Sequence, residues 1–441
     1  MTINLSDPTG FKSRALRWAR QFERICLLDS NNDLQYAYQS TDFLLAVGAQ
    51  AELLHYVDAR IGEDGFSRLR QFCEEKRGWL FGFLGYDLKN ELEDLSSSNP
   101  DGIGLPDLHF FRPELVLEVK GASLTIHGAS PLAKAAYKEL LLSNSLHEEA
   151  VPPQAIDIQA RISHQDYLDT IQQIRQHIRK GDIYEMNFCQ EFYATDCHLS
   201  PFSLFDSLNS LSRAPFAGFY RLGDRYLACA SPERFLKKVG TKLISQPIKG
   251  TIRRGQSDWE DRQLAAKLSS SAKDRSENVM IVDLVRNDLA RSCRAGSVKV
   301  EELFHVYPFE HVFQMISTVS GELKEGVHFI DAIRRAFPMG SMTGAPKVRS
   351  MQLIEQYEQS RRGLYSGAVG YIRPNGDFDF NVVIRSILYN AADCYLSFQA
   401  GGAIVFDSVA EQEYRESLLK AEALRAVLEK PAISKLHLLP K

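Results

Sequence analysis

Residues 163–193 read SHQDYLDTIQQIRQHIRKGDIYEMNFCQEFY, and the spacing of their apolar side chains changes period at Gly181. Before it, Tyr167, Ile171, Ile174 and Ile178 fall on one helical stripe, with Ser163 as the N-cap and Gly181 as the stop. After it the period is two. Tyr184, Met186, Phe188 and Phe192 share one face of a predicted strand over 183–193, and Glu185, Asn187 and Glu191 share the other. A strand with one partly acidic face either meets water or lines a polar site, and with no neighbour identified water is the simpler expectation.

Working outward, strands are predicted at Arg24–Asp29, Trp79–Tyr86, Arg225–Ala230, Val369–Arg373, Asn381–Leu388 and Cys394–Gln399. The glycines of Trp79–Tyr86 signal close backbone approach. Helices are predicted at Trp259–Lys267, Asp274–Leu289, Lys347–Gln356 and Ala410–Leu428. Strands in runs with helices between the groups predict an α+β layered sandwich rather than a strict βαβ repeat. Glu93–Gly104 reads as a loop. Ser143–Pro153 is polar, ends in Pro152-Pro153 and reads as a linker, which puts a subdomain boundary there.

The 441 residues, 44% hydrophobic and 24% charged, suffice for a sizeable core. A formal charge of −4 without a basic stripe argues against nucleic acid as a partner. Cys26, Cys73, Cys189, Cys197, Cys229, Cys293 and Cys394 are odd in number and form no Cys-x-x-Cys pair, which suits buried thiols in a reducing cytoplasm. The first residues lack the pattern of a secretion signal, and the most apolar stretch is too short to span a bilayer.

Three constellations could carry chemistry. Glu413, Glu416 and Lys420 project from one face of a predicted helix, and Asp274 and Glu277 repeat the one-turn spacing near the start of another. Each is explained as a solvated face or as a charge suited to the helix dipole. Were the pairs to meet across a cleft, they would offer the oxygen ligands that Mg²⁺ takes. Lys249, within Gln246-Pro247-Ile248-Lys249-Gly250-Thr251, is an exposed charge or a nucleophile. In the second role it must be neutral, yet at pH 7 an ordinary lysine is neutral in only about one copy in 2,500. Burial, or the nearby Arg253 and Arg254 if they point inward, would depress its pKa. Gln399-Ala400-Gly401-Gly402-Ala403 either offers backbone N–H groups to a carboxylate or makes a tight bend at a strand end. Arg385, late in a predicted strand, carries a fork suited to carboxylates. Gly340–Lys347 superficially resembles a phosphate loop but lacks Gly-Lys-Ser/Thr.

Together with Ser231-Pro232-Glu233-Arg234-Phe235, Arg286-Asn287-Asp288-Leu289, Gly344-Ala345-Pro346-Lys347, Arg361-Arg362-Gly363-Leu364-Tyr365 and Glu413-Tyr414-Arg415-Glu416, these segments resemble the chorismate-utilising enzymes in order and nearly throughout Ser163–Leu428. That family includes anthranilate, aminodeoxychorismate, isochorismate and salicylate synthases. The resemblance implies an anthranilate synthase component I-like sandwich of two large sheets with helices outside and two intertwined subdomains. An amino-terminal region would span 1–150 and a chorismate-binding catalytic region 160–430. It also implies Mg²⁺ held directly by Glu277 and Glu416, with Asp274 and Glu413 in support. The substrate carboxylates would rest on Gly250, Thr251, Tyr365, Arg385, Gly401, Gly402 and Lys420, with Glu233 as general acid.

The residue between Pro-Ile and Gly-Thr separates members: anthranilate synthases typically carry alanine, and aminodeoxychorismate synthases carry lysine. Lys249 therefore implies an Mg²⁺-dependent aminating transferase. Its amine would add to C2 of chorismate as the C4 hydroxyl leaves, and ammonia would then add at C4 and expel the lysine, giving 4-amino-4-deoxychorismate for 4-aminobenzoate and folate synthesis. A separate glutamine amidotransferase subunit, in a heterodimer, would supply the ammonia. Three positions depart from the family pattern: Gln314 replaces a common histidine, Glu185 stands where water-adding members place a lysine, and Ala403 replaces a third glycine. Anthranilate synthase is the nearest alternative; isochorismate or salicylate synthase and a non-catalytic homologue come after it. In the amino-terminal third, Leu27-Leu28-Asp29-Ser30 with Ala214-Pro215-Phe216 resembles the tryptophan pocket of relatives, making Ser30, Pro215 and Phe216 a candidate tryptophan site.

Overall fold

In the computed structural model, which describes residues 1–31, 38, 41–57, 63–142 and 156–429, the period-two runs pair into two antiparallel sheets of 12 and 10 strands. The larger runs Thr2–Asn4, Ser123–His127, Leu115–Lys120, Phe43–Val47, Arg24–Asp29, Phe216–Leu222, Arg225–Ser231, Ser386–Asn390, Tyr395–Ile404, Glu185–Ala194 and Gly344–Ala345, with Gln159–Ala160 beside Glu185–Ala194. The smaller runs Ile248–Arg253, Val312–Glu322, Lys242–Gln246, Arg234–Val239, Phe378–Asn381, Ala368–Ile372, Leu80–Leu84, Leu108–Arg112 and Ala51–His55, with Lys299–Pro308 beside Val312–Glu322. The predicted linker, 143–153, lies outside the described residues, and strands from both sides of it enter both sheets.

Side-chain alternation builds the layers. Along Arg24–Asp29, Ile25 and Leu27 pack into a core shared with the helices Pro8–Ala19, Pro201–Ser212 and Ala410–Glu429, whereas Cys26 faces the second sheet. Along Leu80–Leu84 the order repeats from the other side. Leu80 and Leu84 meet the helices Gly65–Glu75, Ala272–Ala290 and Phe329–Ala336, and Phe81 and Phe83 meet the first sheet. The result is helices, sheet, sheet, helices: the expected α+β sandwich. The helix His164–Lys180 is capped by Ser163, whose side chain accepts from the Asp166 N–H, and stops at Gly181 with φ of 81°. Gly82 shows the close approach read from its sequence, since a Cβ there would lie 2.2 Å from the His109 carbonyl oxygen.

Two expectations are corrected. The predicted strand Asn381–Leu388 is two strands, Phe378–Asn381 and Ser386–Asn390, in different sheets. The run between them is apolar because the crossover is buried on both sides, Val382 against one core and Val383 against another. Arg385 therefore sits at the turn into the second strand, with φ of 52°, rather than late in a strand. The acidic face of Glu185–Ala194 does not meet water. Glu191 accepts from the Tyr395 and Ser397 hydroxyls and pairs with Arg161, and Glu185 is 1% exposed.

Candidate active site

Where the Glu185 end of the larger sheet approaches the Ile248–Arg253 edge of the smaller one, Lys249 reaches across. Its strand slips register against Val312–Glu322 between Ile248 and Thr251, and Gly250 takes φ of 93°. A side chain at Gly250 would sit 3.0 Å from Asp274, so glycine lets the start of the Ala272–Ala290 helix dock on the turn. The Lys249 ammonium donates to Glu185 Oε1 at 2.8 Å, with the two side chains 10% and 2% exposed. The second oxygen, Glu185 Oε2, is buried without a hydrogen-bond partner.

The charge state of Lys249 differs from expectation. Burial pushes its pKa down, but Glu185, Glu277 and Glu233 outweigh burial and hold it above the ordinary lysine value. Arg253 and Arg254 do not oppose them. Arg253 turns to Glu260 and Arg254 to Asp261, their carboxylate neighbours on the next helix. Glu233 behaves in the opposite sense. Burial lifts it to about 7, with the Ser341 hydroxyl and the Lys249 charge pulling the other way. A carboxyl poised there can donate a proton near neutral pH.

The two acidic pairs share one region. Asp274, Glu277, Glu413 and Glu416 all raise the pKa of Lys273, which burial alone would lower, and Lys273 Nζ lies 3.8 Å from Glu277 Oε1. Glu413 is buried, so the solvated-face reading of that helix fails at this position. Among the described residues no three His, Cys, Asp or Glu side chains form a group able to hold a metal. A hard divalent cation of the Mg²⁺ type needs only one or two protein carboxylates beside water and substrate oxygens. Of the residues expected to hold it, Glu277 has its Oε1 buried without a hydrogen-bond partner, and Glu416 Oε1 is paired with Lys420.

Lys420 connects helix to strand, donating to the Gly401 carbonyl at 2.8 Å and pairing with Glu416 Oε1 at 2.8 Å. Gly401 and Gly402 lie inside the Tyr395–Ile404 strand, opposite Cys189 and Phe188, and not at a bend. A Cβ on Gly401 would fall 1.9 Å from the Phe188 carbonyl oxygen, and one on Gly402 would lie 3.4 Å from both Glu416 Oε1 and Lys420 Nζ. Arg385 feels the charge of Glu416, and burial lowers its pKa. Tyr365 is buried with its hydroxyl 3.3 Å from Cys189 Sγ, and Thr251 is exposed beside the bulge. Beneath them Arg362 pairs with Glu358 at 2.6 Å and donates to the Asn187 carbonyl at 3.0 Å, fixing the strand that carries Glu185. Ser30, Pro215 and Phe216 come together elsewhere, around one cavity between the sheets that Leu28, Tyr371 and Asn381 also line.

Two residues escaped the sequence reading. Ser341 sits in the glycine-rich segment set aside as no phosphate loop, and Lys273 was hidden by its acidic neighbours. The i,i+4 spacing of Lys273 and Glu277 within Lys273-Asp274-Arg275-Ser276-Glu277 is the signal that could have drawn attention to it.

Residues 23–426 match the family model for chorismate binding enzymes. Aminodeoxychorismate synthase component 1 of Escherichia coli is 38% identical over 354 residues, covering 80% of this chain and 78% of that protein. Anthranilate synthase component 1 of Cereibacter sphaeroides is 35% identical over 369 residues, covering 79% and 73%. The crystal structure of anthranilate synthase component I from Streptococcus pneumoniae superposes with a TM-score of 0.76 at 27% identity, over 88% of this chain and 93% of that one.

Proposed function

The chain belongs to the chorismate binding enzyme family and acts on chorismate, and from that premise we propose that it is the synthase component of an aminodeoxychorismate synthase. The observation that carries this reading is the placement of the Lys249 nitrogen, buried 2.8 Å from Glu185 among Glu233, Glu277 and Glu416 rather than in solvent. In this reading the amine adds to C2 of chorismate while Glu233 gives its proton to the departing C4 hydroxyl, which leaves as water. Ammonia then adds at C4, the C2–N bond breaks, and 4-amino-4-deoxychorismate is released. Splitting one displacement into two replaces a hard step by two easier ones.

Around that chemistry, Arg385, Lys420 and the backbone of Gly250, Gly401 and Gly402 hold the substrate carboxylates, with Thr251 and Tyr365 beside them. Mg²⁺ on Glu277 and Glu416, supported by Asp274 and Glu413, would orient a ring carboxylate and offset its charge. The ammonia comes from a glutamine amidotransferase subunit, and the product feeds 4-aminobenzoate and folate synthesis. The E. coli relative of the same name, at 38% identity, supports the assignment.

Anthranilate synthase component I is the second reading, because a relative of that name matches at 35% identity. Incubating the purified protein with chorismate, an ammonium salt and Mg²⁺ separates the two by mass spectrometry. Aminodeoxychorismate is the expected product; anthranilate with pyruvate would replace the first reading by the second.

A further inference from the structure

The nucleophile assigned above has a difficulty that its surroundings create: three carboxylates hold Lys249 in the protonated form, in which it cannot attack. The same surroundings supply one acceptor in contact. Glu185 Oε1 lies 2.8 Å from Lys249 Nζ, and Glu185 Oε2 is buried without a hydrogen-bond partner. Glu185 is rigidly placed. Its residue pairs with Ala345 across the ladder, and its carbonyl accepts from the Ser350 hydroxyl at 3.2 Å. No other carboxylate of the site lies within ion-pair distance of Lys249: Glu277, Glu233 and Glu416 act on it only through their charge.

We propose that Glu185 is the internal base of the reaction, taking the proton from Lys249 along their hydrogen bond when substrate closes the site. The inference rests on the reading of Lys249 as nucleophile. The transfer converts an ammonium and a carboxylate into an amine and a carboxylic acid, so no charge is created and no outside base is needed. Burial of the Lys249 ammonium acts in this direction, against the pull of the surrounding carboxylates. The neutral amine forms the bond to C2. When ammonia has added at C4, the amine leaves neutral, and Glu185 returns its proton to restore the resting pair.

The charged groups that act on the pair are Glu277 from the Ala272–Ala290 helix, Glu416 from the Ala410–Glu429 helix and Glu233 after the Arg225–Ser231 strand, while Arg253 on the strand of Lys249 itself is turned to Glu260. None is altered by Glu185→Gln or Glu185→Asp. Ammonium-dependent turnover of chorismate is followed for wild type and both variants from about pH 6.5 to 9.5, with acid-quenched protein weighed for the covalent adduct. At pH 7, Glu185→Gln should run about 10²- to 10⁴-fold slower than wild type and accumulate less adduct. Its rate relative to wild type should climb about tenfold per pH unit as Lys249 loses its proton to solvent instead. Glu185→Asp, which keeps a base, should hold a constant ratio to wild type across the range. A Glu185→Gln rate within about threefold of wild type, or a ratio that does not change with pH, overturns the proposal while leaving the aminodeoxychorismate reading intact. Should the amide variant not fold, a pH-dependent ratio for Glu185→Asp overturns it equally. Wild type yielding anthranilate and pyruvate would instead overturn the reading on which the proposal rests.

Discussion

Glu233 and Lys249 pull on each other in opposite senses: the ammonium draws the carboxyl down in pKa and the carboxylate draws the amine up. Burial dominates for Glu233, leaving it at about 7, but is outweighed for Lys249, whose several acidic neighbours keep it charged. An acid ready to donate and a nucleophile held in reserve therefore share one pocket.

The acid gives the first prediction. Protonated Glu233 is the active form, so turnover falls as pH rises through about 7 and the acid is lost. Glu233→Gln should reduce kcat by about 10²- to 10⁴-fold and abolish that alkaline limb. A pH–rate series on wild type and variant checks both.

Removing Lys249 has two separable effects. Lys249→Met should end C4 amination, and it should also destabilise the fold by about 3–5 kcal/mol, because Glu185 is left buried without its counter-ion. Adding Glu185→Gln should restore most of the stability and none of the activity. Urea unfolding and product analysis on the single and double variants distinguish these outcomes.

Lys273 bears on metal binding. Its ammonium stands among Asp274, Glu277, Glu413 and Glu416, where it offsets the charge a divalent cation would seek. Lys273→Met should therefore bind Mg²⁺ about three- to tenfold more tightly in calorimetry without substrate, and the gain should shrink as salt is added.

The cavity lined by Ser30, Pro215 and Phe216 is tested without reference to catalysis. If it takes tryptophan, the amino acid at about 100 times its Kd should stabilise the protein by about 2.7 kcal/mol, read as a rise in Tm. Phe216→Ala should cancel the rise. An unchanged Tm in the wild type would remove the assignment.

The parts of this molecule legible in its sequence are those governed by local periodicity. The His164–Lys180 helix appears with its cap and stop because Ser163 and Gly181 act on backbone within a few residues. The burial of Glu185 was not legible. Its neighbours, Ala345 in the ladder and Lys249 across the sheets, are distant in sequence, and a lone strand with an acidic face reads the same whether water or protein lies beside it. Arg385 was misplaced for a related reason: a buried crossover carries the apolar signature of a strand. Among the site residues, the motifs identified Lys249, Glu233 and the acidic pairs as chemistry-bearing, and helical spacing sets Lys273 beside Glu277, but no spacing rule could bring Glu413 and Glu416 to it.

The order of strands also bears on how the chain is made. Leu80–Leu84 lies between Leu108–Arg112 and Ala368–Ile372, and Arg24–Asp29 lies beside Phe216–Leu222. During synthesis the ribosome emits those early strands long before their later neighbours exist, so each waits with one edge unmated. Such edges invite pairing with other nascent chains, and joining partners so remote is slow. Production of this protein should accordingly depend on chaperones that shield the growing chain until residue 372 has emerged.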